Sequence, residues 1–134
     1  MEAIILAGGL GTRLKSVVDN VPKPMAPICG RPFLEILLGH LARHQVTRVI
    51  LSVGHLAEVV IDHFGDQFLG IELAYVLEDT PLGTGGALTK ALPHCRADHV
   101  FVLNGDTFLD LDLNAVERVW REQNQPVIVL REVP

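Results

Sequence analysis

Four short apolar runs rich in β-branched residues, Ala3 to Ala7, Val49 to Val53, Val100 to Leu103 and Val127 to Leu130, constrain most strongly how this chain can fold. A strand with one wet face alternates apolar and polar residues, whereas a run almost free of polar residues suits a strand covered on both faces. Ile71 to Leu77 reads as a fifth strand, less uniformly apolar and so nearer a sheet edge.

Helical patterns fill the intervals. Pro32, a residue favoured in a first helical turn, opens one with Leu34, Leu37, Leu38 and Leu41 on a single stripe and Glu35, Arg43 and Gln45 away from it. Val59, Val60, His63 and Phe64 make a second amphipathic pattern. Val116, Val119 and Trp120 make a third, opened by an Asn114 and Glu117 pair of capping-box type. Strands alternating with helices through short connections imply right-handed crossovers, hence an α/β fold with a mostly parallel sheet and helices on both sides. Ligands on such sheets bind at the carboxyl ends of the strands.

With 134 residues, 49% of them hydrophobic and 20% charged, the chain is expected to form one domain over its whole length. No apolar run approaches the roughly 18 residues of a membrane span, and the start Met1-Glu2 lacks the basic segment of a signal peptide. A cytoplasmic protein without a membrane partner is the expectation. Cys29 and Cys95 lack the paired spacing of a zinc or redox motif and read as buried free thiols. The formal net charge of −5 argues against a nucleic-acid partner, so any polyanionic ligand must be held by a local site. The surface pattern leaves the oligomeric state open, a homo-oligomer included.

The first expected strand runs into Ala7-Gly8-Gly9-Leu10-Gly11-Thr12-Arg13-Leu14, a glycine-rich loop that ends in an arginine. Glycines let the backbone approach a ligand closely, and the exposed N–H groups then face phosphate oxygens. A dinucleotide-binding fold also follows its first strand with a glycine-rich turn, but at a different spacing. Next, in Val21-Pro22-Lys23-Pro24-Met25, two prolines fix the backbone around one lysine. Lys23 alone reads as a solvated surface cation; taken with the first loop it reads as a cation held at fixed distance from Arg13, so that both meet one polyphosphate.

Four motifs then stand in order: GGLGTRL from Gly8, PKPM from Pro22, PLGTGGA from Pro81 and NGD at Asn104 to Asp106. Together they resemble the sugar-1-phosphate nucleotidyltransferases over Met1 to about Leu130, with the nearest likeness to the D-glycero-D-manno-heptose 1-phosphate guanylyltransferases. The resemblance implies the nucleotide-diphospho-sugar transferase fold, a Rossmann-like three-layer sandwich, of which this stretch is the nucleotide-binding N-terminal portion. It also implies a reaction in which a sugar phosphate oxygen attacks the α-phosphorus of an NTP and pyrophosphate leaves. Because the nucleophile is already an anion, no general base is required, and the six histidines are free to be structural or solvated.

The same resemblance assigns Arg13, Lys23 and Asp106 to catalysis. Arg13 would stabilise the leaving pyrophosphate, Lys23 would bridge toward the sugar phosphate, and Asp106 would hold Mg2+. Asp106 also follows the expected strand Val100 to Leu103, where open sheets place ligand groups, although an Asx-type turn residue is the plainer reading of that position. Asp110 and Asp112 read as loop and helix-start residues. The family's second metal carboxylate falls beyond residue 134, which puts catalytic competence of this stretch in doubt.

For the nucleotide, the expected contacts come from Leu6, Ala7, Gly8, Gly9, Gly11 and Thr12, and from Glu78, Gly83 and Thr84 further along; Asn104 is expected to face the sugar. Glu78 is the informative side chain. A carboxylate only accepts hydrogen bonds, and guanine offers two adjacent donors where uracil and thymine offer one between acceptors. GTP is therefore the expected donor, with an exposed strand-end acid as the alternative reading of Glu78. Two rival functions remain: a uridylyl- or thymidylyltransferase on another sugar 1-phosphate, and a nucleotide-binding regulatory module without turnover. The heptose likeness further implies activated heptose for a bacterial surface polysaccharide or glycoprotein.

Overall fold

The computed structural model of the chain describes residues 1–9 and 20–134. β1 (Glu2–Ala7) enters the sheet at once, and every residue but Leu6 is buried. After one turn of 3-10 helix at Lys23–Met25 come two short strands, β2 (Pro27–Ile28) and β3 (Arg31–Pro32), which pair with each other. Their two-residue link, Cys29-Gly30, has φ of 49° and 78°, and a tight hairpin turn needs positive φ at both positions. Cys29 is exposed there and Cys95 is partly buried; both are free, so the thiols are unpaired as expected but not both buried.

α1 (Phe33–Arg43) follows, with Pro32 at its N-cap and Leu34, Leu37, Leu38 and Leu41 buried, the stripe that the spacing predicts. Each fully buried leucine contributes about 1.5–3 kcal/mol relative to exposure. β4 (Arg48–Val53) is buried at all positions. Then come α2 (Ala57–Phe64), β5 (Gln67–Phe68), β6 (Ile71–Leu77), α3 (Gly83–Ala91), β7 (Phe101–Asn104) and α4 (Leu113–Gln123).

The main sheet has the order β5-β6-β4-β1-β7; β6, β4, β1 and β7 are parallel and β5 is antiparallel. β6 thus lies next to the edge, as its mixed pattern predicts. Two apolar clusters mark the two faces. Ala3, Ile5, Val49 and Leu51 pack with the buried stripes of α1 and α2 and with Leu113 of α4. Ile4, Ile50 and Val76 pack with Ala91 and Leu88 of α3. This is the three-layer arrangement expected from the alternation.

Three local expectations are overturned. β7, read as a strand covered on both faces, lies at the sheet edge with Val102 and Asn104 exposed, so its apolar run does not report two-sided burial. Val127 to Leu130 forms no strand among the described residues, and Ile128 and Leu130 are 80% and 85% exposed. An apolar run reports which side chains seek burial, but a strand also needs a partner row of N–H and C=O groups, and this run shares no ladder with β7. The start of α4 is capped by Asp112, whose Oδ1 accepts from the N–H groups of Asn114 and Ala115; Asn114 lies inside the helix, so the Asn114 and Glu117 capping box does not form. Glu117 instead accepts from Arg121 and meets His99. Asp112 is the helix-start residue that its position suggests.

Candidate functional site

Strand register builds the site. Ala7, Val53 and Leu77 are the last residues of β1, β4 and β6 and stand in one row across the sheet. The next residue in each chain segment is Gly8, Gly54 and Glu78, and Glu78 N–H still donates to Val53 O at 2.7 Å. On the other side Leu6 is level with Asn104, and Gly105 N–H donates to Leu6 O at 2.8 Å. Since side chains alternate along a strand, Leu6, Ser52, Val76 and Asn104 share the face that α3 covers, and Gly8, Gly54, Glu78 and Asp106 continue it past the strand ends.

Three glycines at these strand ends stand where a side chain would crowd its neighbours. A Cβ on Gly8 would run into the Glu78 carboxylate, and one on Gly54 would lie 3.0 Å from Gly8 O. A Cβ on Gly105 would lie 3.0 Å from Leu6 O. Glycine lets three chain segments close together at the strand ends and leaves their backbone exposed to a ligand.

The Pro22 to Met25 segment is anchored by burial of Pro24 and Met25 and by Met25 N–H donating to Pro22 O at 2.8 Å. Lys23 is the side chain left to reach outward, and its Nζ lies 2.5 Å from Asp106 Oδ2. The Lys23 hydrogen bond holds the Asp106 carboxyl below its ordinary range despite partial burial, so it is an anion near neutral pH. Thr107 Oγ1 donates to the other oxygen at 3.2 Å. Glu78 is held at the opposite side: Ser52 Oγ donates to its Oε1 at 2.7 Å, and Leu82 N–H leans on Oε2 at 3.4 Å. α3 begins at Gly83, with φ of 69°, and has no side-chain cap, and its first residues Gly83 and Thr84 line the same space.

These parts enclose one cleft of about 290 Å3. Leu6, Ala7, Gly8 and Gly9 form its floor, Lys23, Asn104 and Asp106 one side, and Glu78, Gly83 and Thr84 the other. The expected nucleotide, sugar and metal residues within the described chain therefore converge on a single space. Gly11, Thr12 and Arg13 lie outside the described residues. A larger groove of about 620 Å3 runs beside β7 and α4, with Trp120, Val127 and Ile128 on its wall. Its lining is mainly apolar, and of the expected site residues only Asn104 reaches it, so the smaller cleft is the candidate site.

Among the described residues no cluster of three or more His, Cys, Asp or Glu could hold a metal ion. Asp106 puts a single carboxylate on one side of the cleft, a donor that would suit an ion taking most of its ligands from phosphate oxygens and water. No helix among the described residues is long and apolar enough to cross a membrane. Ser52 is the site-side residue that motif reading passes over. Its signal in the sequence is a lone hydroxyl within the apolar run Val49 to Val53.

Residues 2–133 match the family described as nucleotidyl transferase. The chain is 50% identical over 117 residues to the D-glycero-alpha-D-manno-heptose 1-phosphate guanylyltransferase of Campylobacter jejuni, covering 87% of this chain and 52% of that protein. It is 48% identical over 113 residues to the protein of the same name from Aneurinibacillus thermoaerophilus, covering 84% and 49%. The crystal structure of HddC from Yersinia pseudotuberculosis matches with a TM-score of 0.80 at 41% identity, over 89% of this chain and 53% of that one. HddC has also been solved complexed with GMP-PN. The chain spans about half the length of these relatives.

Proposed function

The chain belongs to the nucleotidyl transferase family, and from that membership we propose that its cleft binds a nucleoside triphosphate for transfer of the nucleotidyl group to a sugar 1-phosphate. GTP is the proposed donor and D-glycero-D-manno-heptose 1-phosphate the proposed acceptor, supported by the similarity to two heptose 1-phosphate guanylyltransferases. The observation that carries the reading is the cleft itself. A cation and a carboxylate stand at one side, glycine backbone forms the floor, and a fixed acceptor carboxylate stands at the other.

In the proposed reaction an oxygen of the sugar phosphate forms a bond to the α-phosphorus, and the bond from that phosphorus to the bridging oxygen of the β-phosphate breaks. Pyrophosphate carries away the electron pair. The attacking oxygen is already anionic, so no proton need be removed, and the main barrier is bringing two polyanions into line. Positioning can contribute roughly 7–11 kcal/mol to such a step, with charge neutralisation acting alongside it. Lys23 is assigned to the phosphates at the joint between donor and acceptor, Arg13 to the pyrophosphate, and Asn104 to the sugar. Asp106 would hold Mg2+, which when bound supplies further neutralisation of phosphate charge. The backbone of Leu6, Ala7, Gly8, Gly9, Gly11 and Thr12 is assigned to the nucleotide together with Gly83 and Thr84, and Glu78 to the base. Activated heptose for surface glycan assembly is the corresponding product use.

Calorimetric titration with GTP, UTP, dTTP and ATP, each with and without magnesium, tests this reading. Magnesium-dependent preference for GTP is expected. Preference for UTP or dTTP would move the assignment to another base, and the absence of binding to all four would sink it.

A further inference from the structure

β4 buries an apolar side chain at every position except Arg48 at its start and Ser52 near its end, and Ser52 is fully buried. A buried hydroxyl costs stability unless its hydrogen bond is made. The Ser52 bond goes to the Glu78 carboxylate at 2.7 Å, from a strand position level with Val76, two residues before Glu78 and so on the same face. Glu78 is thus held by Ser52 from below and by Leu82 N–H at its second oxygen, and it rests against Gly8, where no side chain stands.

This restraint matters for reading a base. A free glutamate loses rotamer freedom when a ligand orders it, and a carboxylate meeting two parallel donors must also present a fixed plane. An ionised carboxylate offers about four lone-pair sites. Ser52 takes one on Oε1 and Leu82 N–H one on Oε2, which leaves one on each oxygen. N1–H and the 2-amino group of guanine call for that number.

We propose that Ser52 is a positioning residue for base selection: its hydroxyl holds the Glu78 carboxylate in the plane that accepts the two neighbouring donors of guanine. This rests on the reading that Glu78 meets the base. Ser52 touches no ligand itself and acts through Glu78.

The test is calorimetric titration of the chain with magnesium GTP and magnesium inosine triphosphate, which lacks the 2-amino donor, for the wild type, Ser52→Ala, Ser52→Cys, Glu78→Gln and the Ser52→Ala, Glu78→Gln double variant. Losing one hydrogen bond of about 1–1.5 kcal/mol corresponds to a GTP preference of about tenfold in the wild type. Ser52→Ala is expected to cut that ratio at least about threefold while inosine triphosphate binding stays within about twofold, and Ser52→Cys, a weaker donor of similar shape, to fall between. In the Glu78→Gln background Ser52→Ala should leave the ratio unchanged. A wild-type ratio in both Ser52→Ala and Ser52→Cys, with a lowered ratio in Glu78→Gln, overturns the role of Ser52 alone. An unaltered ratio in Glu78→Gln overturns the base reading, and the role of Ser52 with it. Thermal melting of each variant separates these results from loss of fold, and Ser52→Cys decides the matter if Ser52→Ala does not fold.

Discussion

Lys23 Nζ and Asp106 Oδ2 lie 2.5 Å apart although 83 residues separate them in the chain. The pair joins the 3-10 turn after the first loop to the carboxyl end of β7. Each group is assigned a charged ligand of its own, phosphate for Lys23 and a metal ion for Asp106. Without ligand they neutralise each other; with ligand both charges are already at the mouth of the cleft.

Lys23→Ala is therefore expected to weaken GTP binding by about tenfold or more, since a charge-assisted contact to phosphate is lost. Fold stability should fall by no more than about 1 kcal/mol, because both side chains are more than a third exposed and solvent screens the pair. Titration calorimetry and urea denaturation on the same variant decide it. A large stability loss with unchanged binding would make the pair a structural strut.

Glu2 is expected to behave in the opposite way. Its carboxylate is buried, accepts from the N–H groups of Arg96 and Ala97 at 2.8 and 2.9 Å, and lies 3.9 Å from Arg48 Nη1, so it pins the segment before β7 beneath the sheet. Glu2→Ala should cost about 3 kcal/mol, the low end for breaking a buried pair, because Arg48 keeps Glu72 and His94 O as partners. Glu2→Gln should cost less, since its amide oxygen still accepts from the backbone. Urea midpoints for the two variants measure the difference; equal losses would show that charge, not the backbone bonds, dominates.

His40 predicts a pH dependence. Its side chain is buried on α1, and its Nε2 has no hydrogen-bond partner among the described residues. Burial pushes its pKa below the ordinary 6.5, with His44 and Arg43 adding to the effect and Asp110 and the Leu111 backbone opposing it. The neutral ring is thus the one that folds. Its contribution is complete above pH 6.5 and is lost as pH falls through the lowered folded value, at up to about 1.4 kcal/mol per pH unit inside that window. Melting curves from pH 7.5 to 5 should fall more steeply for the wild type than for His40→Leu. Parallel curves would remove His40 from the acid response.

Legibility differed between fold and site. The apolar runs at β1 and β4 could be read because both-face burial leaves a trace in each local stretch, whereas β7 carries the same trace at the sheet edge with Val102 and Asn104 exposed. Val127 to Leu130 carries the same trace without a ladder partner, so the pattern alone overstated it. The cap of α4 was ambiguous for a related reason: Asp112, Asn114 and Glu117 are all suitable residue types, and only the geometry shows whose oxygen reaches the free N–H groups. At the site, Glu78 and Asp106 were legible as acids just beyond strands, but the company each keeps was not.

By itself the sequence determined the alternation of strands and helices, the glycines where backbone must pass close, and the charged residues suited to a polyphosphate. These are local properties, set by burial, backbone freedom and charge within a few residues. Only the tertiary structure decided that Lys23 meets Asp106 and that the hydroxyl of Ser52 meets Glu78, 26 residues further on. Such pairings follow from the register of parallel strands. A one-residue slip of β4 against β6 would turn Ser52 to the other face, leaving every local pattern unchanged and the cleft without its fixed carboxylate.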